Sequence, residues 1–122
     1  MGGNNKVVIN LATGLEDAER VTIALLVAGA ALDKGKQVVT FLTKEAVRLA
    51  LPGFATGTAC DGCPSVESLF EQYAEKGGEL FVCPICFNSR KLEGAELVGN
   101  ATLAGATPLW DWIGEGATTF DY

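Results

Sequence analysis

Short apolar runs separated by polar, glycine-containing stretches set the rhythm of this chain. Lys6 to Leu11 (KVVINL) is rich in β-branched residues, as in a strand buried on both faces. Thr13-Gly14-Leu15-Glu16 follows with Ser/Thr-x-x-Glu spacing, so Thr13 is placed to cap the next helix while Glu16 reaches back to the backbone. That helix is expected to run to about Asp33, with Gly35 as its stop. Its middle, Val21 to Leu32, is apolar on nearly every side. Covering a small sheet needs only one apolar stripe, so the surplus face is expected to meet another subunit.

Gln37 to Leu42 (QVVTFL) reads as the second strand, and Thr43 is placed to cap a two-turn helix that Pro52 ends. A glycine-rich loop runs from Pro52 to Cys63. Val66, Leu69, Phe70 and Tyr73 then recur at helical spacing in an amphipathic helix, Val66 to Lys76, closed by Gly77-Gly78. Glu79 to Val82 (ELFV) is a third strand that runs directly into Cys83-Pro84-Ile85-Cys86 and a short helical stretch ending near Gly94. Leu97 to Leu103 is expected to hold a fourth strand. Thr107-Pro108 resembles a cap followed by proline at the first position of a helix over Leu109 to Ile113. Ala117 to Phe120 closes the chain as an edge strand. Strands alternating with helices predict one α/β domain over residues 1–122, a mostly parallel five-stranded sheet sandwiched by helices in three layers, with right-handed crossovers.

With 122 residues and 48% apolar content, the chain has ample material for one core. No apolar run reaches the roughly 18 residues of a membrane helix. The opening Met1 to Lys6 lacks the build of a signal peptide. A cytoplasmic protein without a membrane partner is expected. A net charge of −6 with only nine Lys and Arg residues argues against a grip on nucleic-acid phosphates. The absence of histidine removes the Ser-His and Cys-His couples and every His-containing metal site. Chemistry must therefore come from cysteine, carboxylate, hydroxyl or backbone groups.

Four cysteines remain, in two Cys-x-x-Cys pairs: Cys60/Cys63 and Cys83/Cys86. If the third strand is parallel to the second, the tight Gly77-Gly78 turn means that the preceding helix ends at the amino edge of the sheet and starts at its carboxyl edge. The loop with Cys60 and Cys63 should then lie at the same edge to which the third strand delivers Cys83, where open α/β sheets place their ligands. Cys63 and Cys83 each precede a proline that can open a helix, a placement that favours thiolate over thiol. Thr13 follows the first strand and is a candidate to line the same pocket, besides its capping role. Asn88 and Arg90 follow the Cys83 loop, placed either to stabilise an anionic sulfur or on a solvated helix face. Two readings of the sulfurs stay open. Cys-x2-Cys-x19-Cys-x2-Cys fits a zinc site of Cys60, Cys63, Cys83 and Cys86 in a non-catalytic oligomeric module, although zinc ribbons usually lack the independent core this chain has. The other is thiol exchange at Cys83 and Cys86 without any cofactor.

Glu79 to Leu92, ELFVCPICFNSRKL, resembles the strand-then-cysteine segment of the DsrE/DsrF/TusD-like sulfur-relay superfamily. VVINLATGLEDAERVTIAL near the start and LVGNATLAGATPLWDWIGEGATTFDY at the end are similar to that family's first strand-helix unit and its closing strand-helix-strand. The resemblance implies a homo-oligomer, a trimer or hexamer, that serves as a sulfurtransferase or sulfur carrier. It also implies a persulfide on Cys83 exchanged with donor and acceptor proteins. Cys86, or one of Cys60 and Cys63, would resolve that persulfide. The Cys60/Cys63 pair is additional to the family's pattern.

Overall fold

In the computed structural model, which describes residues 5–122, the apolar runs form the strands β1 (Lys6–Leu11), β2 (Gln37–Leu42) and β3 (Glu79–Val82), with shorter strands β4 (Ala101–Leu103) and β5 (Thr118–Asp121). The reading of Met1 to Asn4 as part of no targeting signal lies outside the described residues. The helices are α1 (Ala18–Asp33), α2 (Val66–Glu75), α3 (Pro84–Ser89) and α4 (Ala106–Ile113), with 3-10 segments at Leu15–Asp17 and Lys44–Ala50. Every strand pairing is parallel, in the order β4-β3-β2-β1-β5, so the expected five-stranded α/β sheet is the one that forms.

That order dictates where the helices go. From β1 to β4 each strand adds on the same side of its predecessor, so right-handed crossovers put α1, α2 and α3 on one face. The last connection travels back across the whole sheet to β5, and the same handedness puts α4 on the opposite face. Side chains agree with this. Register aligns Ile9 with Thr40 and Thr40 with Leu80, so Val7, Leu11, Val38, Leu42 and Val82 share their face. These pack with Val21, Leu25, Val66, Leu69 and Tyr73 of α1 and α2 and with Phe87 of α3 in one core. Each buried aliphatic side chain there contributes roughly 1.5–3 kcal/mol. On the other face, Lys6 donates to the Trp112 carbonyl of α4 at 2.6 Å, with its ammonium 5.2 Å from the indole centroid. That layer is thin: Trp112 is half-buried, and Trp110 is 70% exposed.

Several boundaries differ from the sequence reading. Thr13 does not cap a helix; its hydroxyl donates to the Tyr122 carbonyl (3.1 Å). The 3-10 turn intervenes, and Asp17 caps α1 by accepting from the Arg20 N–H (3.1 Å). Glu16 does reach back, accepting from the Gly14 N–H at 2.9 Å. Thr43 makes no capping bond, and the segment it precedes is 3-10 rather than α. Pro64 is not at a helix start, because Ser65 is the cap of α2 and accepts from the Ser68 N–H. Helix α4 begins two residues before Pro108, which the first turn tolerates because its amides have no intrahelical acceptor. Strand β4 is limited to Ala101–Leu103. The outward side of α1 carries Ile23 and Leu26, 45% and 50% exposed, the surplus apolar face anticipated from the sequence. Among the described residues no helix is long and apolar enough to cross a membrane.

Tyr73 ties α2 to the sheet. Its buried hydroxyl donates to the Glu79 carbonyl (2.6 Å) and accepts from the Thr40 hydroxyl (3.0 Å), so both groups are satisfied away from water. Burial pushes the Tyr73 hydroxyl well above the usual phenol range. The ring lies where a Cβ on Gly78 would stand, so the turn into β3 needs glycine for space. Gly78→Ala is accordingly expected to lower the unfolding free energy by about 1–3 kcal/mol in urea titration. An unchanged midpoint would show that the ring does not press on that turn.

Candidate functional site

Adjacent strands whose following connections leave toward opposite faces open a crevice at their carboxyl ends, the usual ligand position in such sheets. Here those strands are β3, which leads into α3, and β4, which leads into α4. Cys83 stands at that divergence. Its backbone N–H still donates to the Leu42 carbonyl of β2 (3.0 Å), and the Ala104 N–H donates to the Val82 carbonyl (3.0 Å), so the ladder holds up to the point of parting. Cys83 is the N-cap of α3, its carbonyl accepts from the Phe87 N–H, and Pro84 occupies the first turn. On the β4 side, Gly105 caps α4, and a Cβ there would meet Pro84 Cδ at 3.4 Å. The two connections therefore pass close together before they separate.

Cys83 is half-buried with its thiol free, and so is Cys86 three residues on. Asn88 lies on the exposed side of α3. Arg90 is already committed: Nε donates to Glu45 (2.6 Å), and Nη1 to the Cys86 carbonyl (3.2 Å) and the Ser89 hydroxyl (3.3 Å). Glu45 also takes the Arg48 Nε–H at 2.9 Å, so one carboxylate latches α3 to the 3-10 segment after β2. Thr13 sits at the same sheet edge but beside β5, tied to Tyr122, with β1 and β2 between it and β3.

Cys60 and Cys63 are joined in a disulfide with Cα atoms 5.1 Å apart. The Cys63 N–H donates to the Cys60 carbonyl (2.9 Å), closing a four-residue turn whose third residue, Gly62, has φ +77°, which favours glycine. Cys60 Sγ lies 3.8 Å from the Thr22 hydroxyl oxygen, so this loop leans on the first turns of α1, at the carboxyl edge as its topology required. Among the described residues, no three Cys, Asp or Glu side chains gather as a group able to hold a metal ion. Sequence reading had missed Glu45 and Gly105. The Glu45–Arg48 spacing is visible in the chain, whereas the Arg90 contact spans 45 residues. Gly105 could have been found as the glycine between the fourth strand and Thr107-Pro108.

A small parallel α/β domain with a half-buried free cysteine where its crossovers reverse is a recognisable class, and comparison with known proteins gives it a family. Residues 5–121 match the DsrE/DsrF-like family model, and the chain belongs to that family. No curated protein matches it in sequence. Its fold is similar to that of the YchN protein of E. coli, with a TM-score of 0.79 and 16% identity over 98% of this chain and 99% of that one. It is also similar to a conserved protein of unknown function, BT1422, from Bacteroides thetaiotaomicron, with a TM-score of 0.67 and 18% identity over 100% and 98% of the two chains.

Hydrogen bonds from Arg90, then from Arg48, hold the Glu45 carboxyl below its ordinary value of 4.5. A carboxyl lowered in the folded state stabilises fully above its ordinary value, and that contribution is lost as pH falls through the lowered one. The difference in melting temperature between the wild type and Glu45→Gln should therefore be constant near neutrality and shrink below pH 4.5. A pH-independent difference would mean that the latch carries no ionic component.

Proposed function

We propose that Cys83 is the nucleophile of a sulfur relay. The observation that carries this reading is the free thiol of half-buried Cys83 at the cap of α3, where the connections of β3 and β4 diverge. Family membership supports sulfur handling as the kind of chemistry. A donor persulfide gives its terminal sulfur to the Cys83 thiolate, so that a Cys83 S–S bond forms, the donor S–S bond breaks and the donor leaves as a thiol. An acceptor thiolate then attacks that terminal sulfur, and Cys83 departs as a thiolate. Neither step requires histidine or a cofactor.

In the first turn of α3, Pro84 has no N–H, and the Ile85 and Cys86 amides have no intrahelical acceptor, so they are free to donate to a sulfur carried on Cys83. Cys86 is the resolving thiol in this proposal. Attack on the inner sulfur of the persulfide releases hydrogen sulfide and leaves a Cys83–Cys86 disulfide. Thr13, Asn88 and Arg90 have supporting roles at most: Arg90 holds α3 in place through Glu45, and Asn88 faces solvent where a partner approaches. Ile85, 79% exposed next to Cys83, offers an apolar contact to donor and acceptor proteins. The exposed Ile23 and Leu26 suit a homo-oligomer, a trimer or hexamer. A cytoplasmic setting would keep Cys83 and Cys86 reduced and make the Cys60–Cys63 disulfide a state to be cycled.

Incubation with a sulfane-sulfur donor followed by peptide mass mapping tests the reading. One added sulfur, about +32 Da, is expected on the Cys83 peptide of the wild type. The adduct should persist in Cys86→Ser and be absent in Cys83→Ser. An adduct that survives Cys83→Ser, or about one tightly held zinc per chain that is lost when all four cysteines are replaced by alanine, would overturn it.

A further inference from the structure

Helix α2 has a second working face. Val66, Leu69 and Tyr73 point into the core, while Glu67, Phe70, Glu71 and Ala74 follow an adjoining i, i+3, i+4, i+7 stripe. That stripe forms one wall of a cavity of about 480 Å³, closed on the other side by Leu80, Val98 and Asn100. Small-molecule sites occupy roughly 300–1,000 Å³ and combine a mainly apolar lining with a few polar groups, as this one does. The cavity lies away from Cys83. Its lining follows α2 from Glu67 in the first turn to Ala74 in the last and does not include Cys83.

Its polar groups have one character. Glu67 and Glu71 are one turn apart, a spacing at which like charges weaken a helix unless something neutralises them. No lysine or arginine lines the cavity. The ion pairs seen among the described residues use Asp17, Asp33 and Glu45 instead. The Thr56 hydroxyl donates to Glu67 at 2.6 Å, which fixes that carboxylate without cancelling its charge. Asn100 donates an amide N–H to the Gly78 carbonyl (2.9 Å), leaving its carbonyl oxygen as a third acceptor. Two carboxylates and an amide oxygen around an apolar hollow complement a ligand with an apolar body and a positively charged, hydrogen-donating head. A net charge of −6 disfavours anionic ligands further.

We propose that this cavity binds a small organic cation of the alkylammonium or arylalkylammonium class, at a site separate from the cysteine crevice. The test uses the intact chain and three probes of one length: n-hexylammonium, n-hexanol and n-hexanoate, followed through backbone amide NMR shifts. Hexylammonium should saturably shift the amides of Gly53, Ala74, Gly99 and Asn100. It should bind roughly tenfold tighter than hexanol, the worth of one charge-assisted hydrogen bond, and hexanoate should not bind. Glu71→Gln, an exposed substitution compatible with folding, should remove that tenfold advantage and leave hexanol binding unchanged. Ala74→Trp should abolish binding of every probe. Equal affinity for the ammonium and the alcohol would overturn the proposal, as would shifts with none of the probes. Loss of oligomer mass in Ala74→Trp by sedimentation would overturn it too, since a second copy of the chain would then occupy the cavity.

Discussion

The handedness of parallel crossovers is the constraint on which this molecule depends. Three successive steps in one direction commit α1, α2 and α3 to a single face, and the core forms between them and the sheet. The fourth step must return across all the strands, so α4 covers the other face alone. One reversal thus has two consequences. It leaves one layer thin, with a largely exposed Trp110, and it opens the sheet edge between β3 and β4 at the residue where Cys83 stands.

Local interactions then hold that edge in place. Tyr73 binds α2 to β2 and β3 at the amino end of the sheet through fully satisfied buried hydroxyls. Glu45 does the corresponding job at the carboxyl end, clamped by Arg48 and Arg90 and drawing α3 onto the 3-10 segment. Arg90 therefore helps to fix α3, the helix that Cys83 caps. The Cys60–Cys63 turn rests on α1 at the same edge, and among the described residues the four sulfurs do not gather into one cluster.

Much of this was legible in the chain because buried parallel strands are written as uninterrupted β-branched runs, and Val7 to Ile9 and Val38 to Val39 are just that. Cys83 was legible for a related reason: a strand that ends on Cys-Pro announces both its position and the helix after it. Helix starts were less legible, since several residues can serve as caps. Asp17 took the role expected of Thr13 once a 3-10 turn entered ahead of α1, and Ser65 rather than Pro64 stands at the start of α2. Strand β4 was read too long because Leu97 and Val98 are apolar for another purpose; the Val98 amide bonds the Ala50 carbonyl and the side chain lines a cavity. The Glu45–Arg90 latch and the fate of the four sulfurs depend on distances through space, which spacing along a chain does not encode.

If the fold makes Cys83 reactive by holding it at the sheet edge, its advantage over Cys86 must come from the native structure. Timed alkylation with limiting iodoacetamide, read from the fragment ions of the peptide that carries both cysteines, measures that directly. Cys83 is expected to be modified before Cys86 in the native chain, and the ratio of their rates to fall to near one in urea. Equal rates in the native state, or a preference that survives denaturation unchanged, would contradict it.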